Sequence, residues 1–334
     1  MEFSTLDRIR ATHGARGVTG FVPGAHGAIG LISDGTQMTL FTVEALIQAH
    51  AREREKGIGG ARPLLLRQAY ERWLETQSKP GPEQPAQPQP GTAPAGGLVT
   101  EAWLYSPGGG TPGRAPGNAC LSGAARMYAP DPALPLDGTP GEVNPDSKGC
   151  GTVMRSAPFG LVGPAEEAVA MAARGAQITH GHPTGCYAAG ALAAIVAHLV
   201  AGESLEGAVL RTLRLLERHR GHTETTAALR AALDLAADGT PAAEKVESLG
   251  AGWVAEEALA LGVYCALAEP DAGQALLPAV NHSGDSDSTG SICGNLLGAL
   301  RGDTGLPHAW VARVEGRDRI AALADDLAAE CARG

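Results

Sequence analysis

The sequence predicts an all-α protein, and three observations carry that prediction. Aromatic residues make up only 4% of the 334 residues, whereas strands draw on aromatic and β-branched side chains. No segment sustains an apolar–polar alternation of period two. From Pro164 onward, alanine- and leucine-rich segments follow one another with apolar residues at helical spacing. The chain, 44% hydrophobic, is long enough to bury a full core, and the expectation is a single domain over residues 1–334.

The elements read as follows. A short helix is predicted near Thr5–Thr12, then an irregular loop punctuated by Gly14, Gly17, Gly20, Gly24, Gly27 and Gly30. Leu40, Phe41, Leu46 and Ile47 mark a helix over Thr36–Arg54. Leu65, Leu66, Ala69, Trp73 and Leu74 mark another over Arg62–Gln77. Ser78–Gly97 is too rich in proline, glutamine and glycine to pack and is read as a flexible insertion. Ser106–Gly117 and Ala129–Gly151 are long loops of the kind that serve a site or stay disordered. Helices are then predicted near 164–175, 183–201, 204–219, 222–237, 252–268, 270–280, 288–301 and 316–331, with Gly202, Gly221 and Gly262 as breaks or kinks.

A net charge of -10 argues against a protein that tracks nucleic-acid phosphates. It leaves room for a nucleotide held by helix N-termini or a metal. The six cysteines form no CxxC pair and read as reduced, mostly buried thiols. No uninterrupted apolar run reaches the roughly 20 residues of a membrane span. The expectation is a cytoplasmic protein with no membrane partner.

Four segments carry chemistry. In Ala279–Leu300, Asp285, Asp287, Ser288 and Thr289 place hard oxygens ahead of a small-residue helix. That set suits Mg²⁺ or Ca²⁺, and it equally suits an acidic turn with Ser288 as helix cap. An EF-hand is excluded, because its twelfth position is Leu296 rather than a bidentate glutamate. In Ala28–Phe41, Ser33, Asp34 and Thr36 stand at a helix entry, where they act as a cap or, with the distant aspartates, complete a metal site. His180 and His182 precede a helix beginning at Pro183, a favoured first helical position. They are open to substrate contact, a structural turn or zinc. Asn144–Leu161 bends at Gly149 and Gly151, which allow close backbone approach to a phosphate or sugar. The segment lacks GxGxxG, so a Rossmann reading is excluded.

Together these segments resemble the ADP-ribosylglycohydrolase family, which includes dinitrogenase reductase-activating glycohydrolase. SDGTQMTLFT is similar to the family's TDDTQM segment, and NPDSKGCGTVMRSAPFGL to its SKGCGxxMRxxP segment. ITHGHP and NHSGDSDSTGSICGNLLGA follow in the family's order, and LGAGWVAEEALALGVYCAL fits its style. The resemblance covers nearly the whole chain. It implies a compact, all-helical orthogonal domain with long surface loops and two Mg²⁺ ions in a cleft, removing ADP-ribose from a modified protein or small conjugate. By carry-over it implies Ser33, Asp34, Asp285, Asp287 and Ser288 as metal ligands. Gly149, Cys150, Gly151 and His180 are implied substrate contacts, and Glu2, Asp34 and Asp287 catalytic residues, with Glu2 as acid/base. Two departures qualify it. Gly35 stands where the family has a second aspartate, which removes a ligand from one metal. Met1-Glu2-Phe3 coincides with the family's VEF-like stretch, so the preceding GDALG-like helix is expected to be missing and Glu2 to lie on a mobile terminus. The alternative to an active hydrolase is a weakened or inactive ADP-ribose-binding or structural relative.

Overall fold

A computed structural model describes residues 1–24, 27–57, 59–82, 97–105, 114–239 and 241–333. Most of the Ser78–Gly97 and Ser106–Gly117 tracts therefore lies outside the described residues. The architecture is all-α, with fourteen α-helices among the described residues. Those that build the site are α1 (Leu6–His13), α2 (Asp34–Lys56), α4 (Asn118–Ala124), α6 (Pro183–Val200), α10 (Ala255–Ala268) and α12 (Ser286–Arg301).

Local chemistry sets the boundaries. Thr5 Oγ1 accepts from the Arg8 amide at the start of α1, and α2 ends at Gly57 with φ 63°, the left-handed stop that glycine adopts without Cβ strain. His182 caps α6 through Nδ1, which accepts from the Thr184 amide (3.2 Å). α6 is the hub. It is apolar on all sides, as a helix surrounded by protein must be. Its length and composition would suit a membrane, but 83% of it is buried inside the protein.

Two apolar clusters meet across α6. One joins it to α7 (Leu205–Leu216), α8 (Thr223–Ala237), α10, α11 (Ala272–Val280) and α12. The other joins it to α2, α3 (Arg62–Ser78), α5 (Ala165–Gln177) and α14 (Arg317–Cys331). Abundant alanine lets these helices approach closely with little side-chain entropy to lose.

Two expectations need correction. Gly262 is no kink. It lies within α10, where a Cβ would meet Ile292 Cβ at 2.9 Å, so glycine lets α10 and α12 cross in contact. Ser288 does not cap α12 either; the helix starts earlier and its cap is Asp285. The short helices α4, α9 (Ala243–Glu247) and α13 (His308–Val311) carry too few residues for a periodic pattern and were not predicted.

Candidate functional site

Four distant stretches of chain line one cavity of about 320 Å³. The first is the N-terminal turn. Leu6 N donates to Ser283 Oγ (2.7 Å), and the Asn281 side chain clamps Val18 by accepting from its amide (2.8 Å) and donating to its carbonyl (2.9 Å). These bonds fasten the turn to the loop before α12. Phe3 stacks on Trp253, with ring centroids 5.4 Å apart. The expected mobile terminus is thus anchored by the residues that follow Glu2, and Glu2 itself is half-buried and lines the cavity.

The second stretch is the entry of α2. Arg114 donates to the carbonyls of Ile32 (2.9 Å) and Trp103 (2.8 Å) and pairs with Glu315, while its own carbonyl accepts from Asp34 N (2.9 Å). Asp34 is thereby held with its carboxylate in the cavity, where Oδ2 accepts from Gly117 N (3.3 Å). Ser33 is the N-cap residue of α2 and does not line the cavity. Gly35 faces Met154: a Cβ there would stand 3.2 Å from its Sδ.

The third stretch is the head of α12. Asp285 Oδ1 accepts from Ser288 N (3.4 Å), and Asp287 Oδ1 accepts from the same amide (2.9 Å). Both carboxylates line the cavity, so the acidic-turn and cavity readings describe the same residues. Cys150 donates its thiol hydrogen to Asp285 Oδ2 (2.6 Å), and Ser288 Oγ points toward Cys150 Sγ (3.6 Å).

One carboxylate oxygen from each of Glu2, Asp285 and Asp287 lies within 4.8 Å of the others. Asp34 faces the same cluster. Burial, then the charges of Asp287 and Glu2, raise it to about 7. Burial followed by Asp287 likewise raises Glu2 to about 7. Burial and the hydrogen bond and charge of Asp287 raise Asp285 to about 8. Four acidic groups thus crowd one wall, and like charges at this range resist simultaneous ionisation. Hard oxygens converging in that way are the donor set of a hard divalent cation.

The other wall belongs to the fourth stretch, the glycine bend and the turn before α6, and it adjoins the acidic one where Cys150 meets Asp285. Cys150 N donates to Trp253 O (3.1 Å) and Ala255 N to Lys148 O (2.8 Å), which pins the bend to the start of α10. Lys148 bridges Glu224 (2.7 Å) and Glu256. Gly149, Cys150, Gly151 and His180 all line the cavity. A Cβ on Gly151 would meet Cys120 Sγ at 2.5 Å, which is why the bend carries no side chain there. His180 is buried, and burial together with the Arg155 charge lowers it to about 3.

His182, by contrast, caps α6, so the two histidines do not share a ligand position in the cavity. His282 Nε2 faces Thr289 Oγ1 (2.9 Å) and Ala279 O (3.2 Å), a structural role behind the acidic wall. Sequence reasoning missed Phe3, Asn118, Cys120 and Trp253 as cavity residues. Only Trp253 carried a signal, as an aromatic directly after Gly252 at a predicted helix entry.

The sequence profile described as ADP-ribosylglycohydrolase matches residues 1–334. Among solved structures, the fold is similar to a protein described as "ADP-ribosylglycohydrolase-related protein complex". The TM-score is 0.57 and the identity 22%, covering 92% of this chain and 85% of that one. No curated protein sequence matches. On the match along its whole length, the chain belongs to the ADP-ribosylglycohydrolase family.

Proposed function

We propose that the protein is a magnesium-dependent hydrolase that cleaves the N- or O-glycosidic bond between ADP-ribose and a modified protein side chain or small acceptor. One observation carries the reading. Glu2, Asp34, Asp285 and Asp287, from three separate segments of the chain, meet in one cavity that is also lined by the Gly149–Gly151 bend and His180.

The residues present fit a hard cation. Asp34, Asp285, Asp287 and Ser288 would hold it, and Glu2 stands within reach of the same point. Ser33 lies off the cavity wall, and its carbonyl accepts the Gln37 amide (3.2 Å). When bound, Mg²⁺ would supply orientation and polarisation of the ribose hydroxyls and neutralise the acidic wall.

The remaining work falls to the chain. The glycine bend and His180 bind the diphosphate side of ADP-ribose. Glu2, with its affinity for a proton raised toward neutrality, takes a proton from the attacking water. The water oxygen bonds to the anomeric carbon as the bond to the acceptor breaks, and that proton passes to the departing nitrogen or oxygen.

The test is ADP-ribose release from arginine- and serine-linked mono-ADP-ribosylated peptides, with and without Mg²⁺. Metal-dependent release is expected. Gly35 favours the second reading, a binding-only relative, because it offers no side-chain oxygen where Met154 packs. Tight, metal-dependent ADP-ribose binding without turnover would select that reading. Release at the same rate in EDTA would remove the metal from the mechanism.

A further inference from the structure

Arg155 is 1% exposed, yet among the described residues no carboxylate pairs with it. Its guanidinium lies over the Tyr70 ring, 4.4 Å from the centroid. It donates to Gly175 O (3.3 Å) and Thr179 Oγ1 (2.6 Å), with the sulfurs of Met38 and Cys120 at 3.4 and 3.6 Å. A buried cation without a counter-ion is costly. This one sits directly behind two residues of the cavity wall, Cys120 and, through Thr179, His180.

The Thr179 hydroxyl accepts from Arg155, so its own hydrogen must go elsewhere. Two acceptors are in reach: His180 Nδ1 at 2.7 Å and Ala176 O at 3.4 Å. Ala176 O already accepts the backbone amides of Thr179 (3.0 Å) and His180 (2.9 Å), and a carbonyl oxygen has two lone pairs. The hydroxyl hydrogen therefore goes to Nδ1. A neutral imidazole that accepts at Nδ1 carries its hydrogen on Nε2. Donation from a charged guanidinium polarises the hydroxyl and strengthens the next bond in the chain.

His180 Nε2 lies against the two glycines. A Cβ on Gly149 would stand 3.1 Å from it, and one on Gly151 3.5 Å. No protein acceptor takes Nε2 among the described residues, although the ring is only 2% exposed. We infer that Arg155 and Thr179 are positioning residues that fix His180 as an Nε2–H donor aimed into the cavity, for a phosphate oxygen of the ligand. The phosphate follows from charge: among the described residues Arg155 finds no anion, and the carboxylate cluster in the same cavity disfavours an anion near itself, so the anionic group is accepted at His180. The ligand's identity as ADP-ribose rests on the function proposed above; the tautomer does not.

Long-range ¹H–¹⁵N correlation spectra of the ligand-free protein report the tautomer directly, and the Nε2–H pattern is expected for His180. Thr179→Val keeps the β-branched shape and removes the relay. It is expected to move His180 toward Nδ1–H and to weaken both ADP-ribose and ADP by about tenfold, as loss of one charge-assisted hydrogen bond does. Thr179→Ser is expected to restore tautomer and affinity together. An Nδ1–H pattern in the wild type, or an unchanged tautomer in Thr179→Val, would overturn the relay. A variant that loses affinity for ADP-ribose but not for ADP would overturn the phosphate assignment. If the wild type binds neither nucleotide while His180 shows Nε2–H, the proposed ligand is overturned and the relay stands.

Discussion

The two walls of the cavity are electrostatic opposites, and each is incomplete without a ligand. On one side four carboxylates crowd together, and Glu2, Asp34 and Asp285 are held far more protonated than free acids. On the other, among the described residues, a buried guanidinium lacks an anion and a neutral histidine lacks an acceptor at Nε2. A protein shaped by stability alone would pair these charges with one another. Here the carboxylates and His180 line one cavity of about 320 Å³, with Arg155 behind His180 through Thr179, matched to a ligand whose one end is met by a cation and whose other end is an anion. The difference between the walls teaches that the site's chemistry is read from what is left unpaired.

The sharpest way to break this contrast is to remove the acidic wall. Asp285→Ala and Asp287→Ala are each expected to abolish Mg²⁺ binding by calorimetry and to lower ADP-ribose release by at least about a hundredfold, the scale of losing a preorganised electrostatic group. Undiminished Mg²⁺ binding in both variants would defeat the assignment of that wall. A second test needs no mutation. Because Asp34, Asp285 and Glu2 are raised in the fold, the metal-free protein gains stability from them that is fully present below about pH 4 and lost as pH rises through about 7 to 8. In EDTA, melting temperature is expected to fall over that window by on the order of 5 °C. Added Mg²⁺ is expected to restore it, more at pH 8 than at pH 6. A melting temperature independent of both pH and Mg²⁺ would mean that these carboxylates do not crowd one another.

The walls also differed in how far they could be read from sequence. The acidic wall was half legible: GDSDST announces oxygens at a helix entry, and Asp34 announces another. Spacing alone left a cap and a metal site equally open, and the structure shows why. Asp285 and Asp287 bond the same Ser288 amide and also line the cavity, so one pattern encodes both. The helices themselves were legible because apolar periodicity survives in long segments, whereas α4, α9 and α13 are too short to display it. The other wall was nearly silent. Arg155 looks like any helix-entry arginine until the fold buries it against Tyr70, and Thr179 is one more turn residue until its hydroxyl meets His180. Pairings across 20 or 100 residues leave no local trace. Cys120 and Phe3 fail for the same reason, since their roles exist only once Gly151 and Trp253 come alongside.

Gly35 probes the boundary between the walls. Gly35→Asp is expected to add a carboxylate to the acidic side and raise Mg²⁺ affinity and hydrolysis severalfold. Its Cβ would stand 3.2 Å from Met154 Sδ, tight but against a flexible thioether able to yield. No change in either quantity would clear Gly35 as the cause of any weakness.

The smallest effect tests how Glu2 is recruited to the acidic wall. Glu2 reaches that wall from the N-terminal turn, which is fastened by the Leu6–Ser283 bond and the Phe3–Trp253 stack. Phe3 adopts φ 65°, a left-handed conformation that costs free energy for a side-chain residue, and its ring stacks on Trp253. Phe3→Ala removes the stack and leaves every carboxylate in place. An aromatic pair contributes about 0.5–1.5 kcal/mol beyond its buried area, so Mg²⁺ affinity is expected to fall roughly two- to tenfold. ADP affinity, read at the other wall, is expected to stay unchanged. If Phe3→Ala instead weakens ADP and spares Mg²⁺, the stack belongs to the nucleotide side, and the division of the cavity drawn here runs in the wrong place.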